Sequence, residues 1–218
     1  MKFCSIILVV FCLVHVAAGQ EIRDQKEAER IYRQSLRDDA YSKRYFDADE
    51  KCRGLIRDQR FQAAEAACRL AISYSDKLAK ERYLERSSGR IGLGVVLVRL
   101  RREREAIVQF QSAYTLTRPI LNDTNSETGE IYFLLGQAYN LLDDHTNAEL
   151  YYEKAEKTYR AAFIDIGDED MRRVYARAIY NIVGSHTNLF ENAEMTQDAE
   201  RMQRRFEKVR QEYSKYLD

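Results

Sequence analysis

One spelling recurs in this chain at a fixed distance. Leu93-Gly94-x-x-Leu97 is followed by Ala106-x-x-x-Phe110-x-x-Ala113, and Leu135-Gly136-x-x-Tyr139 by Ala148-x-x-x-Tyr152-x-x-Ala155. Every matched position is offset by 42 residues. Stepping back by the same interval brings Cys52-x-x-Leu55 and Ala64-x-x-x-Cys68-x-x-Ala71 into register. Within each half of the pattern the apolar positions fall three or four apart, which is helical spacing, and the two halves make a helix pair. A lone pair cannot bury its outer face, so such units must stack.

The spelling resembles the tetratricopeptide repeat, a helix–turn–helix unit with L-G-x-x-Y on its first helix and A-x-x-x-F on its second. The resemblance implies an all-α fold, an α-solenoid of antiparallel helix pairs wound as a right-handed superhelix. The glycine is expected to let the second helix approach closely, with an alanine meeting it. The interval of 42 exceeds the family's usual period of about 34 residues; the excess is read as added turns at the helix ends. A fourth, degenerate pair starts near Val183-Gly184 and continues from Thr196 through Met202, Phe206, Val209 and Tyr213, as a capping unit should. Residues 21–40 read as a charged N-terminal capping helix with only Ile22, Ile31 and Leu36 as apolar contacts.

Helix ends carry their own signals. Thr146-Asn147-Ala148-Glu149 and Thr124-Asn125-Ser126-Glu127 spell capping boxes, and Pro119 is placed to close the second unit. Ser87-Ser88-Gly89 is expected to loosen the start of one helix.

Residues 1–19 have the plan of a secretory signal peptide: Lys2, an apolar run from Phe3 to Val14, then Ala17-Ala18-Gly19, with cleavage after Gly19. The run is shorter than the roughly 20 residues of a spanning helix. Residues 20–218 are then one helical repeat domain of about four pairs, secreted or periplasmic, with no membrane span. With Lys2 gone, that domain has a net charge of −1, which points to neither nucleic acid nor an anionic membrane. Cys52 and Cys68 remain, opposite each other across a hairpin turning near Asp58–Arg60. In an oxidising compartment they either form a disulfide or pack as two small buried thiols. Asn122-Asp123-Thr124 is a glycosylation triplet, common by chance.

Catalytic constellations are missing. His145 sits in the acidic turn Asp143-Asp144 with no metal ligand at useful spacing, and His186 neighbours Ser185, which faces another way on a helix. No phosphate loop, dinucleotide glycine pattern or zinc spacing occurs, so no cofactor and no metal are expected, and the chain reads as a non-enzyme. The arginines at 99, 101, 102 and 104 alternate with Glu103 and Glu105 and read as a solvated turn.

Tetratricopeptide proteins hold peptides or partner proteins along a concave face built by the first helix of each pair. The resemblance implies groove positions at Arg53 (with Asp49 and Ile56); Ile91, Val95 and Val98; Phe133, Gln137 and Asn140; and Asn181, Ser185 and Asn188. Such a groove runs from charged, through apolar, to amide-rich. The carboxylate-clamp subtype expects asparagine where this chain has Val95 and Gln137, which disfavours a chaperone-tail receptor. The expected function is an exported scaffold for a protein or peptide partner; the alternative is a structural component that assembles with its own copies or an envelope complex.

Overall fold

The computed structural model describes Arg30 and residues 40–121, 125–192 and 196–217. The expected leader, the capping helix at 21–40 and the Asn122 triplet fall wholly or almost wholly outside these residues. The described chain is all-α: α1 (40–57), α2 (Phe61–Ser75), α3 (Tyr83–Arg99), α4 (Glu103–Thr117), α5 (Ser126–Asn140), α6 (His145–Asp165), α7 (Glu169–Asn192), α8 (Thr196–Glu212) and the short α9 (Ser214–Leu217). They stack as antiparallel pairs α1–α2 (joined through Cys52 and Cys68), α3–α4, α5–α6 and α7–α8, an α-solenoid in which each pair packs on the next and α9 folds back on α7.

The turn inside each of the first three pairs is made the same way. Gln59, Arg101 and Asp143 have φ of 58°, 61° and 58°, the left-handed conformation, and stand 42 residues apart. After each, an amide reaches back five residues: Arg60 to Leu55 O (2.9 Å), Arg102 to Leu97 O (2.9 Å) and Asp144 to Tyr139 O (3.0 Å). This is the hydrogen-bond pattern that stops a helix by satisfying its last carbonyls, and here it is built without glycine.

Other helix ends depart from expectation. The cap of α6 is Asp144, whose Oδ1 accepts from Asn147 N at 3.2 Å, and Thr146 lies inside the helix. Asn125 caps α5, accepting from Glu127 N at 2.9 Å. A carboxylate two residues before Thr146 and an amide one residue after Thr124 make these caps, because their short side chains reach the free amides from a non-helical backbone. Ser87-Ser88-Gly89 does not loosen α3, which already begins at Tyr83. Ser87 is buried, and Gly89 lets α2 come close enough that a Cβ would stand 3.2 Å from Ile72 Cγ1. Between pairs the chain leaves the helix at 76–82 and, among the described residues, at 118–121 and 125, so the excess is not only added helical turns; Pro119 lies just past the end of α4.

The seam within each pair turns on a small residue facing the second helix. A Cβ on Gly94 would stand 2.3 Å from Phe110 Cε1, and one on Gly136 would stand 2.7 Å from Tyr152 Cδ1. The residue that meets each glycine is therefore the aromatic of A-x-x-x-F, not the alanine. The alanines Ala106, Ala113, Ala148 and Ala155 are fully buried along the same helices, where their small size keeps the axes near. In the first pair the register holds Cys52 and Cys68 instead, joined as a disulfide with Cα atoms 5.0 Å apart. In the last pair Gly184 faces Phe206, 3.2 Å from a built Cβ. Among the described residues no helix is long and apolar enough to cross a membrane.

Candidate binding groove

Alternate helices α1, α3, α5 and α7 share one face of the stack, and cavities open between them. The first, of 320 Å³, lies between α3, α5 and α7. Val95, Val98 and Arg99 come from α3, Leu134, Gln137 and Asn140 from α5 with Leu141 just past its end, Ser185 and Asn188 from α7, and Tyr152 from α6. Amide groups thus stand opposite aliphatic ones. Burial pushes the Tyr152 phenol up to about 12, against a hydrogen bond with Asn140 that acts to lower it, so the hydroxyl stays protonated.

The second cavity, of 540 Å³, lies between α1, α3 and α5 and meets the first at Val95. Its apolar lining is Tyr45, Ile56, Leu84, Ile91 and Val95, and its polar lining Asp49, Arg53, Glu85, Ser87, Ser88, Glu127 and Glu130. Asp49 is only 2% exposed; burial raises its pKa while the ion pair with Arg53, one turn on, pulls the other way. Arg82 holds Glu85. Glu130 is open to water on its outer side, yet the surrounding helix walls withdraw solvent from the carboxyl and Glu127 adds like charge, so its pKa lies above the ordinary value. The disulfide lies behind this wall: a Cβ on Gly92, which lines the cavity, would stand 3.3 Å from Cys52 Sγ.

The groove positions expected from the sequence fall as follows. Arg53, Ile91 and Val95 line the larger cavity; Val95, Gln137, Asn140, Ser185 and Asn188 line the smaller. Asn181 lies apart, in a third cavity between α7, α8 and α9 with Arg177, Tyr180 and Arg210. Phe133 lines none of the three. Its ring packs 6.0 Å from that of Tyr152 among the buried contacts of α5, α6 and α7, because an aromatic side chain gains more from that seam than from water. Leu134, the next residue, takes the groove position. Sequence reasoning missed the N-terminal turns of the groove helices. The signal was there: Leu84, Ser87, Ser88, Ile91 and Val95 form one helical stripe, as do Glu127, Glu130, Leu134, Gln137 and Leu141.

His186 is only 1% exposed and lies on the buried side of α7, between Tyr152 (5.7 Å) and Phe190 (5.3 Å). Neither ring nitrogen has a hydrogen-bond partner. No serine–histidine arrangement forms there. Among the described residues no cluster of histidine, cysteine, aspartate and glutamate has metal-ligand geometry.

Residues 88–161 match the tetratricopeptide repeat family. No sequence among the curated proteins matches the chain. Among solved structures, BtubC (BKLC) from P. vanneervenii aligns with a TM-score of 0.67 at 16% identity, over 89% of this chain and 78% of its own. A putative kinesin light chain from Podosopora anserina with nearly identical TPR-like repeats aligns at a TM-score of 0.49 and 10% identity, over 80% of this chain and 98% of its own. The first of these shares the fold, at an identity too low to carry more than that. The matched residues run from within α3 to within α6, so the likeness to tetratricopeptide repeats is carried by the second and third helix pairs.

Proposed function

We propose that this protein is an exported scaffold, without catalysis of its own, that holds a peptide or protein segment along the face shared by α1, α3, α5 and α7. Tetratricopeptide repeats typically mediate protein interactions and are generally non-enzymatic, which is the coarse part of this reading. The observation that carries the finer part is the cavity between α3, α5 and α7. There Gln137, Asn140, Ser185 and Asn188 face Val95, Val98 and Leu134. Amide side chains both donate and accept, so they suit an extended backbone, and the aliphatic wall suits its side chains. Export rests on the leader-like residues 1–19 and on a buried cysteine pair close enough to bridge, a pairing that an oxidising compartment sustains. The repeating unit is read as 42 residues, supported by the spacing of the left-handed turn residues.

The test uses the chain from Gln20 onward as bait in the exported fraction of its source, beside a Gln137→Arg, Asn188→Arg variant with unchanged helicity and unfolding temperature. A protein retained by the natural chain and lost from the variant is the expected result. Equal retention by both moves the interface to another face. Retention of its own copies alone favours the self-assembling alternative, which light scattering at micromolar concentration then measures directly.

A further inference from the structure

The larger cavity has an uneven charge. Two of its carboxylates are held within the protein, Asp49 by Arg53 and Glu85 by Arg82. Glu127 and Glu130 stand one helical turn apart on α5, and among the described residues no cation pairs with either. Both face the same 540 Å³ space as the apolar side chains of Ile56, Ile91 and Val95. Two like charges set close together in a concave wall repel each other, and an incoming cation relieves that repulsion while keeping its own charge paired. An anionic segment placed there would add to it. A purely apolar segment would strip water from the carboxylates and return nothing.

From this complementarity we infer that the groove takes an extended segment of a partner protein in which a lysine or arginine lies beside apolar residues. The basic side chain sits over Glu127 and Glu130, and the apolar ones follow along Ile91 and Val95. Because Val95 also lines the smaller cavity, the backbone of the same segment continues toward Gln137 and Asn140. This rests on the groove reading above and adds the chemistry of the occupant. Lysine and arginine both fit, since their long aliphatic stems lie along apolar walls while the charged head stays in the wet, acidic part.

Random-sequence peptides displayed on phage are the probe, selected in parallel on the natural chain, on Glu127→Gln, Glu130→Gln, and on the Gln137→Arg, Asn188→Arg variant. The expected result is Lys and Arg next to apolar residues enriched by about fivefold over the input on the natural chain, with that enrichment erased by the two glutamines and by high salt. Unchanged unfolding temperature in the glutamine variant excludes a folding defect. Peptides enriched on the natural chain and lost from the arginine variant, but without a basic preference, overturn this inference and leave the groove as a peptide site. Enrichment of acidic peptides overturns it equally. Selection of no peptide at all counts against both readings.

Discussion

The Phe110 ring lies directly on the backbone of α3 at Gly94, so near that a Cβ there would stand 2.3 Å from Cε1. Phe110 is fully buried, so the ring has no free direction in which to yield. Gly94→Ala is therefore expected to push α3 and α4 apart and destabilise the protein by about 1–3 kcal/mol, the usual cost of overpacking. Gly54→Ala is the control. Only an arginine tip lies within 4.0 Å of its built Cβ, so the better helix propensity of alanine should stabilise α1 by about 0.5–1 kcal/mol. Chemical denaturation of the two variants should move the midpoint in opposite directions.

The same register in the first pair holds Cys52 and Cys68, both fully buried. Closing a loop of this size is expected to stabilise the fold by about 3 kcal/mol in the chain-entropy account. Alkylation of the chain from Gln20 onward, in denaturant without reductant, should label no cysteine and leave an intact mass two hydrogens below the dithiol. Two labelled cysteines would replace the bridge with a pair of packed thiols. With the bridge formed, reductant should lower the unfolding midpoint of the natural chain and leave Cys52→Ala, Cys68→Ala where it was.

Arg101 takes the left-handed position at the α3–α4 turn with φ 61° and an exposed side chain. It is paired at 3.5 Å with Glu103, whose carboxylate is largely buried and whose Oε1 has no hydrogen-bond partner. The conformation itself disfavours a residue with a Cβ by roughly 1–2 kcal/mol. Arg101→Gly should relieve part of that but strips the buried Glu103 carboxylate of its cation, so the double variant Arg101→Gly, Glu103→Gln is the one expected to gain about 0.5–1 kcal/mol after the entropy glycine loses on folding. A lower unfolding temperature in this variant would mean that the arginine side chain holds the turn.

The helix pairs were legible from the sequence because one physical demand repeats: a small residue on the first helix and, sixteen residues later in the first three pairs, its partner on the second, an aromatic in the second and third and a cysteine in the first, with alanines around it. What was not legible was which side chain answers the small residue. Pattern alone does not tell an alanine one turn along from a phenylalanine whose ring folds back over the glycine. The groove was partly legible for a similar reason. Gln137, Asn140, Ser185 and Asn188 sit where the helical period puts them. Phe133 was misplaced because one step of a helix rotates a side chain by about 100°, enough to exchange groove and seam between Phe133 and Leu134. Glu127 was read only as part of a capping box and Glu130 was passed over, because a charge near a helix start reads as solvated surface and only the stacking of α1 and α3 beside α5 makes a cavity there.

His186 links this core to acidity. Its imidazole is buried against Tyr152 and Phe190, and Arg205 and Arg201 face it from α8. Burial first, and those positive charges second, lower its pKa from 6.5 to about 4. The neutral form is the one that fits the fold, whereas the unfolded chain takes up a proton near pH 6.5. Stability from this residue is thus complete above about pH 6.5 and is lost progressively as the pH falls toward 4, by on the order of 3 kcal/mol in total. His186→Phe removes the titrating group and two unpaired nitrogens while keeping an aromatic between the rings. Unfolding free energies at pH 7 and pH 4.5 should fall further apart in the natural chain than in this variant. An equal fall in both would assign the acid sensitivity to carboxylates such as Glu65, which is held below the ordinary carboxylate value by hydrogen bonds from Arg69 at 2.7 Å and Arg102 at 2.9 Å, and not to the histidine.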